Sequence, residues 1–281
     1  MTYSGPVSVH GGHSGQFCSH ARDTLEAIIQ AYCRQGYAWV GITEHMPPAS
    51  KEFVYPEEKR DGWDVVSLMD RFADYMATCR ELQKRYADRI RILAGFETEY
   101  TRGSLDLAKK LMDRFVPDYI VGSVHHVQDI PFDYDRASYL RATERCGGLN
   151  ELYISYFDQQ YEMIQTLHPQ VVGHMDIIRM HDPAYPARLL EPAIWRRIVR
   201  NLEAIKSLDL ILDFNLRPLS KGEKDPYLSG PILDKAVKLN IDIVPGDDSH
   251  GVRDIGSHMS AAIEKLCAAG VRPPWRMPVE N

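Results

Sequence analysis

The sequence has no apolar run long enough for a membrane helix and no cysteine pattern typical of disulfide frameworks or zinc fingers. A membrane helix requires about 20 predominantly apolar residues, and no uninterrupted stretch of the chain approaches that length. Cysteines are few, odd in number and never in a CxxC pair, and they are Cys18, Cys33, Cys79, Cys146 and Cys267. Neither a disulfide framework nor a zinc finger is therefore predicted.

The chain also has no excess of positive charge and no basic segment at its start. A net charge of −6 argues against a protein that coats nucleic acid, which would ordinarily be basic. It does not exclude an anionic substrate, because bound divalent ions would make a site locally positive. The opening segment MTYSGPVSVHGG predicts no secretory signal. We expect a cytoplasmic protein without nucleic-acid or membrane partners, and the sequence leaves the oligomeric state open.

Common catalytic motifs are missing as well. The chain contains no GxxxxGK[ST] phosphate loop, no GxSxG nucleophile elbow and no HExxH helix. These absences argue against a P-loop nucleotide hydrolase, a serine hydrolase of the elbow type and a helix-borne zinc protease.

What the sequence does contain is a regular alternation of buried strands and helices. Strands are predicted to end at His10 and to cover 38–43, 90–97, 119–125, 171–174, 209–215 and 241–245. Helices are predicted over 23–36, from Asp64 onward, and over 104–115, 150–167, 190–207 and 251–268, with long loops at 46–63 and 127–148. This alternation predicts one α/β barrel domain over 1–281, with its core at about 7–268 and a proline-rich tail. A doubly wound open sheet is the alternative, but it would bind ligand at a single switch point.

Each predicted strand ends in a residue that can bind a divalent metal ion. The strand ends carry His10, His45, Glu97, His125, His174, Asn215 and Asp248. Because the carboxyl ends of barrel strands surround one mouth, these side chains should converge there. So many imidazoles and carboxylates in one cavity would be costly to bury without cations. The pattern therefore predicts a hydrolase with several metal ions.

The first strand end has an unusual spacing. His10 and His13 are three residues apart, which points two side chains to opposite faces of a regular strand. The intervening glycines, Gly11 and Gly12, would permit a bulge that turns both rings inward. His10 and His13 are therefore predicted metal ligands, whereas His20 is open between a ligand and a loop residue.

Two strand ends in the middle of the chain carry acidic residues and paired histidines. Glu97 is predicted to bridge two cations, and Glu99 is expected to be a solvated loop residue. Glu44 could orient a metal-binding imidazole without binding the metal itself. Only one of the adjacent His125 and His126 should face the mouth, so His126 would contact substrate or pack outside.

The segment GDDSH at 246–250 is the most specific local motif. Asp248 and His250 are two residues apart, so both can point into one site. Arg179 follows the strand end at His174 and could bind a phosphate through two hydrogen bonds, or lie on a solvated loop.

Taken in order, the segments HxxHSGQFCSH, TEH, GFETE, SVHH, VGH and GDDSH resemble the PHP (polymerase and histidinol phosphatase) superfamily, and within it the stand-alone histidinol-phosphate phosphatases. The similarity runs from His10 to about Gly251. The resemblance implies a distorted (β/α)7 TIM-like barrel with a trinuclear centre of zinc, iron or manganese at the carboxyl ends of the strands.

The resemblance also implies roles for individual residues. By matching position, the ligands would be His13, His20, His45, Glu97, His125, His174, Asp248 and His250, with His10 one residue away from the first histidine of the family's HxH motif. The arginine that contacts phosphate in the family falls at Ser220 here, so Arg217 or Lys221 would replace it. Asn215 aligns with the same segment and is expected to contact substrate.

These observations lead to the hypothesis of a metal-dependent phosphomonoesterase that hydrolyses L-histidinol phosphate in histidine biosynthesis. A hydroxide bridging two metal ions would attack phosphorus in line, with Glu97, Asp248 and His250 as catalytic groups. Three alternatives are open: a PHP-type phosphodiesterase or nuclease, a phosphatase of another small phosphate ester, and an inactive metal-binding regulatory module. An amidohydrolase would ordinarily need a lysine at a strand end near mid-chain, and none is present.

Overall fold

The computed structural model describes residues 5–279, and a parallel seven-stranded sheet is its central element. The strands follow the order β1-β2-β3-β4-β7-β8-β9. They are β1 (Val7–Gly11), β2 (Trp39–Ile42), β3 (Arg91–Glu97), β4 (Tyr119–Gly122), β7 (Val171–Val172), β8 (Ile211–Asn215) and β9 (Asp242–Gly246), and a separate antiparallel hairpin consists of β5 (His126–Val127) and β6 (Ile130–Pro131).

The two edge strands of this sheet, β1 and β9, meet at their carboxyl ends. The backbone N–H of Asp248 donates to the oxygen of His10 (2.9 Å), and that of His13 donates to the oxygen of Ser249 (2.7 Å). Lower down, the Ser8 hydroxyl donates to the Asp247 carboxylate (2.9 Å). These bonds curl the sheet into a nearly closed barrel, which confirms the predicted barrel fold.

Helices surround the barrel. They are α1 (Leu25–Arg34), α2 (Pro56–Arg60), α3 (Val65–Arg85), α4 (Ser104–Phe115), α5 (Arg136–Cys146), α6 (Leu149–Leu167), α7 (Tyr185–Arg188), α8 (Pro192–Ser207), α9 (Arg217–Ser220), α10 (Gly230–Lys238) and α11 (Met259–Ala268). Among residues 5–279, no helix has both the length and the apolar character needed to cross a membrane.

Six of the helices differ from the sequence prediction. Three of them are short and were not predicted: α2 lies within the predicted loop 46–63, and α7 and α9 lie outside every predicted helix. Helix α5 lies within the predicted loop 127–148, where its few buried apolar residues give a weak helical pattern, although Asp135 caps it by accepting from the N–H of Ser138 (2.6 Å). Helix α10 was not predicted. Helix α11 begins at Met259 instead of residue 251, because turns that include the positive-φ residues Gly251 and Gly256 come first.

Alternating side chains divide the core into two layers. The layer inside the barrel contains Val7, Val9, Ala38, Trp39, Leu93, Tyr119, Val121, Val171, Ile211 and Val244. Outward residues such as Ile92 and Leu212 belong to the second layer, against the helices. Continuing the inward face toward the carboxyl ends of β3 and β8 leads to Glu97 and Asp213, both buried. The inward-facing positions of the strands are therefore apolar in the lower part of the barrel and polar at its carboxyl end.

The proline-rich tail covers the opposite end of the barrel. Trp275, Met277 and Val279 pack against the apolar cluster inside the barrel. Arg276 donates to the carboxylates of Asp209 and Asp242 (both 2.9 Å), which lie at the amino ends of β8 and β9. The predicted core boundary at about residue 268 is therefore too early.

A tyrosine spans the barrel interior just below the polar end. The hydroxyl of Tyr119 on β4 donates to the backbone oxygen of Val9 on β1 (2.6 Å). Position 41 must be glycine for this contact, because a Cβ there would overlap the Tyr119 hydroxyl. Gly41 thus lets one side chain connect two non-adjacent strands.

We expect Gly41→Ala to destabilise the protein by about 1–3 kcal/mol, because the added methyl group overpacks this layer. Chemical denaturation monitored by circular dichroism would measure the free energy of unfolding. Gly230→Ala is the matched control, since a Cβ at position 230 would meet no atom within 4 Å. Equal stability of the two variants would contradict a rigid contact at Tyr119.

Candidate metal centre

Histidine and carboxylate side chains from most strands converge at the carboxyl end of the barrel. Five overlapping groups of three residues have potential ligand atoms within 4.8 Å of one another. Their members are His10, His13, His45, Glu97, Glu99, His125, His174, Asp248 and His250. These groups contain every predicted ligand except His20, and they add Glu99.

Glu97 lies at the middle of this cluster and is only 1% exposed. Its carboxylate oxygens approach His174 Nε2 (2.7 Å), His125 Nε2 (3.2 Å), His10 Nε2 (3.4 Å), His45 Nδ1 (3.4 Å) and His13 Nε2 (3.7 Å). Burial opposes ionisation of this carboxyl, but His10, His125 and His45 outweigh burial and hold the pKa of Glu97 well below its usual range. Glu97 is therefore an anion placed to bind cations.

The first strand end contains the expected bulge. Ser8 pairs with Val40 and Gly11 with Ile42, so β1 has one residue more than β2 between these points. The rings of His10 and His13 both reach the cluster, with centroids 6.0 Å apart. The one-residue displacement of His10 is thus absorbed by the backbone, and its Nε2 lies near Glu97.

Asp213 is a part of the site that sequence reasoning missed. Its Oδ2 lies 2.9 Å from His10 Nδ1, and both side chains are fully buried. A Cβ at position 246 would overlap the Asp213 carboxylate, so Gly246 provides the space for this contact. Carboxylates that hold the second nitrogen of a ligand histidine orient the ring. The sequence did contain a signal for Asp213. Alternate residues of a strand share one face, so Asp213 could have been placed on the inward face of β8 together with Asn215.

Asn215, the predicted substrate contact, is fully buried beneath the site. Its amide nitrogen donates to Asp213 Oδ2 (2.9 Å) and to Asp248 Oδ2 (3.1 Å), and its oxygen accepts from the backbone N–H of Arg217 (3.0 Å). All of its polar groups are therefore engaged within the protein. This placement does not support substrate contact, and it favours a role in positioning Asp248.

Glu99 is buried, so the expectation of a solvated loop residue is wrong. It is 7% exposed, and its oxygens lie 2.9 Å from His125 Nδ1 and 3.0 Å from His126 Nδ1. The ring of His126 lies 6.1 Å from that of Phe53 and 5.9 Å from that of Tyr55. His126 thus reaches the cluster through Glu99, and its contact with substrate stays a prediction.

Two further residues lie close to the bulged strand end. His20 lies at the mouth with ring centroids 4.9 Å from His250 and 5.2 Å from His45, but it joins none of the ligand groups. Glu44 accepts from the N–H and hydroxyl of Ser14 (both 2.7 Å), and its second oxygen lies 3.6 Å from His13 Nδ1. Glu44 is thus placed to orient His13, while a ligand role for His20 stays a prediction.

The chemistry of the cluster fits bound divalent ions. Buried side-chain atoms without a hydrogen-bond partner include His10 Nε2, His13 Nε2, His45 Nδ1, Glu99 Oε1, His125 Nδ1 and His174 Nδ1. Buried polar atoms are nearly always satisfied in native proteins. Imidazole nitrogens together with carboxylate oxygens suit zinc, iron and manganese. A metal centre accounts for atoms that would otherwise be buried at a cost.

A cavity of about 280 Å³ opens above the cluster. It exposes ligand candidates such as Glu97 and Asp248 to the mouth. Two basic residues, Arg217 and Lys221, also line it. Arg217 is held in place by Asp254, whose Oδ2 accepts from Nη1 (3.1 Å). The cavity thus combines the candidate metal centre with positive side chains.

Arg179 does not line this cavity. It is 2% exposed, and it donates to Glu223 (2.8 Å) and to the backbone oxygen of Asp225 (2.7 Å). Its guanidinium lies between the rings of Tyr185 and Tyr227, 4.5 and 4.8 Å from their centroids. This placement does not support the predicted phosphate contact. Arg179 instead fixes the segment that brings Tyr227 to the cavity wall.

Known proteins of one family match nearly the whole chain. Residues 11–217 match the model of the PHP domain. A probable histidinol-phosphatase of Schizosaccharomyces pombe is 37% identical over 270 residues, which cover 95% of this chain and 87% of that protein. The histidinol-phosphatase of Saccharomyces cerevisiae is 30% identical, with 88% and 84% covered.

Two solved structures have the same fold. A putative histidinol phosphatase of Listeria monocytogenes superposes with a TM-score of 0.76 at 23% identity, covering 92% of this chain and 98% of that one. The histidinol phosphate phosphatase of Lactococcus lactis, solved with zinc, L-histidinol and phosphate, gives a TM-score of 0.72 at 21% identity, with 95% and 94% covered. With its matching domain model and relatives, the chain belongs to the PHP domain family, in the group of the histidinol-phosphatases.

Proposed function

We propose that this protein is a metal-dependent phosphomonoesterase that hydrolyses L-histidinol phosphate to L-histidinol and phosphate, a reaction of histidine biosynthesis. The observation that carries the proposal is a cluster of ligand atoms, centred on Glu97, beneath a cavity that also contains Arg217 and Lys221. The names of the relatives support the substrate. The zinc, L-histidinol and phosphate in the Lactococcus lactis protein support the metal and the products.

The proposed cofactor is a set of three divalent ions, zinc, iron or manganese. The overlapping groups offer enough ligand atoms if carboxylates such as Glu97 and Asp248 are shared between ions, which carboxylates do readily. When bound, such ions acidify water and offset the negative charge of a phosphate ester. His20, at the edge of the cluster, would be the outermost ligand.

The side chains at the mouth have separate parts in the proposed reaction. Arg217 and Lys221 would bind the phosphate oxygens and keep the ester over the cluster. Asp248 Oδ2 is held by Asn215, and Oδ1 lies 3.2 Å from His13 Nε2, so the carboxylate is fixed where it can accept and pass on a proton. His250 donates from Nδ1 to the backbone oxygen of Asp248 (3.0 Å), which leaves Nε2 as its free ring nitrogen.

Elemental analysis of the purified protein together with a phosphate-release screen tests the proposal. We expect about three divalent ions per chain and a strong preference for histidinol phosphate over other monoesters. Asp248→Ala should lower kcat by at least about a hundredfold, whereas Asp209→Ala, on the exposed opposite end of the barrel, should not. Metal-free protein without phosphatase activity, or near-native turnover by Asp248→Ala, would contradict the proposed metal-dependent phosphatase activity.

The role of Arg217 leads to a prediction about substrate affinity. Arg217→Ala should raise KM for phosphate monoesters by about tenfold or more, because a charge-assisted contact to phosphate is lost. Steady-state kinetics would measure it, with Arg102→Ala as a control on an exposed arginine paired with Glu52. An unchanged KM in Arg217→Ala would assign the contact to Lys221 instead.

The buried pair of Asp213 and His10 leads to a prediction about metal affinity. Asp213→Asn should weaken metal binding by about 10–100-fold, because the His10 ring loses the carboxylate that orients it. Competition with a chelator, followed by elemental analysis, would measure this change, and circular dichroism would verify folding. Asp242→Asn, at the exposed start of β9, is the matched control. Full metal retention in Asp213→Asn would contradict the orienting role.

A further inference from the structure

The cavity above the cluster has charges of opposite sign on its two sides. Arg217 and Lys221 belong to the segment after β8, whereas Glu57 and Asp133 lie on the loops after β2 and β4. In the strand order, β2, β3 and β4 are consecutive, and β8 and β9 continue to β1 across the closure. The basic and acidic residues therefore approach the cavity from opposite sides of the mouth.

Each of the two carboxylates on the acidic side has at least one oxygen atom without a hydrogen-bond partner in the part of the chain that the structure describes. Glu57 Oε2 is buried without a hydrogen-bond partner. Between residues 5 and 279, Asp133 has no side-chain hydrogen bond or ion pair, although it is half-buried. Desolvated carboxylates of this kind are costly unless a ligand completes them.

Three acidic residues close to them in sequence have partners within the protein. Glu58 Oε2 accepts from the backbone N–H of Tyr55 (2.8 Å). Glu52 pairs with Arg102 (2.8 Å), and Asp135 caps helix α5. Glu57 and Asp133 differ from these three residues because they line the cavity and keep oxygen atoms without a partner among the described residues, as expected of side chains that bind a ligand.

Aromatic rings complete this side of the cavity. Tyr55 and Tyr134 are stacked with centroids 5.9 Å apart and an interplanar angle of 27°. Both line the cavity, and Tyr134 is 38% exposed at its rim. Tyrosine faces attract cations and stack on flat heterocycles such as imidazole. Carboxylates with stacked tyrosines form a surface suited to a cationic or heteroaromatic group.

We infer that Tyr55, Glu57, Asp133 and Tyr134 bind the cationic end of the substrate and make the enzyme selective for phosphate esters of amino alcohols. The inference rests on the proposed function and names the residues that select the substrate. Histidinol phosphate has a dianionic phosphate at one end and an ammonium group with an imidazole at the other. Its charge distribution matches the cavity, with phosphate toward Arg217 and the ammonium group toward the acidic wall.

The test compares a substrate whose leaving alcohol carries a positive charge, histidinol phosphate, with one whose leaving group carries none, p-nitrophenyl phosphate. Glu57→Gln and Asp133→Asn should each lower kcat/KM for histidinol phosphate by about tenfold or more, chiefly through KM, because a paired charge is lost. The same variants should change kcat/KM for p-nitrophenyl phosphate by less than about twofold, since its leaving group is neutral. Glu52→Gln is the matched control on the same loop, outside the cavity.

An equal loss with both substrates would overturn the inference, because it would indicate damage to the metal centre. An unchanged kcat/KM with histidinol phosphate in both variants would also overturn it. A wild-type enzyme that hydrolyses p-nitrophenyl phosphate but not histidinol phosphate would refute the proposed function separately. In that event, kcat/KM for phosphoethanolamine, whose leaving alcohol is cationic, would be compared with that for glycerol 3-phosphate, whose leaving alcohol is neutral. A wild-type enzyme with no preference for phosphoethanolamine would overturn the role of the acidic side of the cavity.

Discussion

The site depends on one buried carboxylate, Glu97, and on the imidazoles around it. An anion at 1% exposure is costly in an apolar interior, and here the cost is offset by neighbouring histidines and the cations they would hold. The remaining features of the mouth serve this arrangement. The bulge in β1 turns His10 toward Glu97, and the closure of β1 on β9 brings Asp248 to the same place.

Small residues below the cluster make this concentration of polar groups possible. Gly246 leaves room for Asp213 beside His10, and Gly41 leaves room for Tyr119 to reach across to β1. Because protein interiors are close-packed, an added methyl group at either position must displace a neighbour. The candidate metal ligands therefore lie directly above a layer in which these two positions leave no room for a larger residue.

The loops add what the strands do not provide. The cluster draws its side chains from most of the strand ends, whereas the other charges that line the cavity are divided, because the segment after β8 carries Arg217 and Lys221 and the opposite loops carry Glu57 and Asp133. Binding of phosphate and choice of the leaving alcohol would thus be separate properties on separate loops. Such a division allows one metal-dependent reaction to serve different substrates by changes in loop sequence.

The sequence by itself determined the barrel and most of the cluster, because strand period and strand-end position are local properties. His45, Glu97, His174 and Asp248 could be recognised as members of one site without knowledge of any contact. Tertiary structure alone decided the partners of residues whose surroundings come from distant segments. Arg179, Asn215 and His126 carry groups suited to a substrate, yet each is turned toward other protein groups. Glu99 and Asp133 resemble ordinary loop acids in the sequence, and only packing against β4 and the hairpin that follows it buries one and directs the other into the cavity. The residue type determines which chemistry a side chain can perform. Which of its donor and acceptor atoms remain unpaired depends on the neighbours that the fold brings next to it.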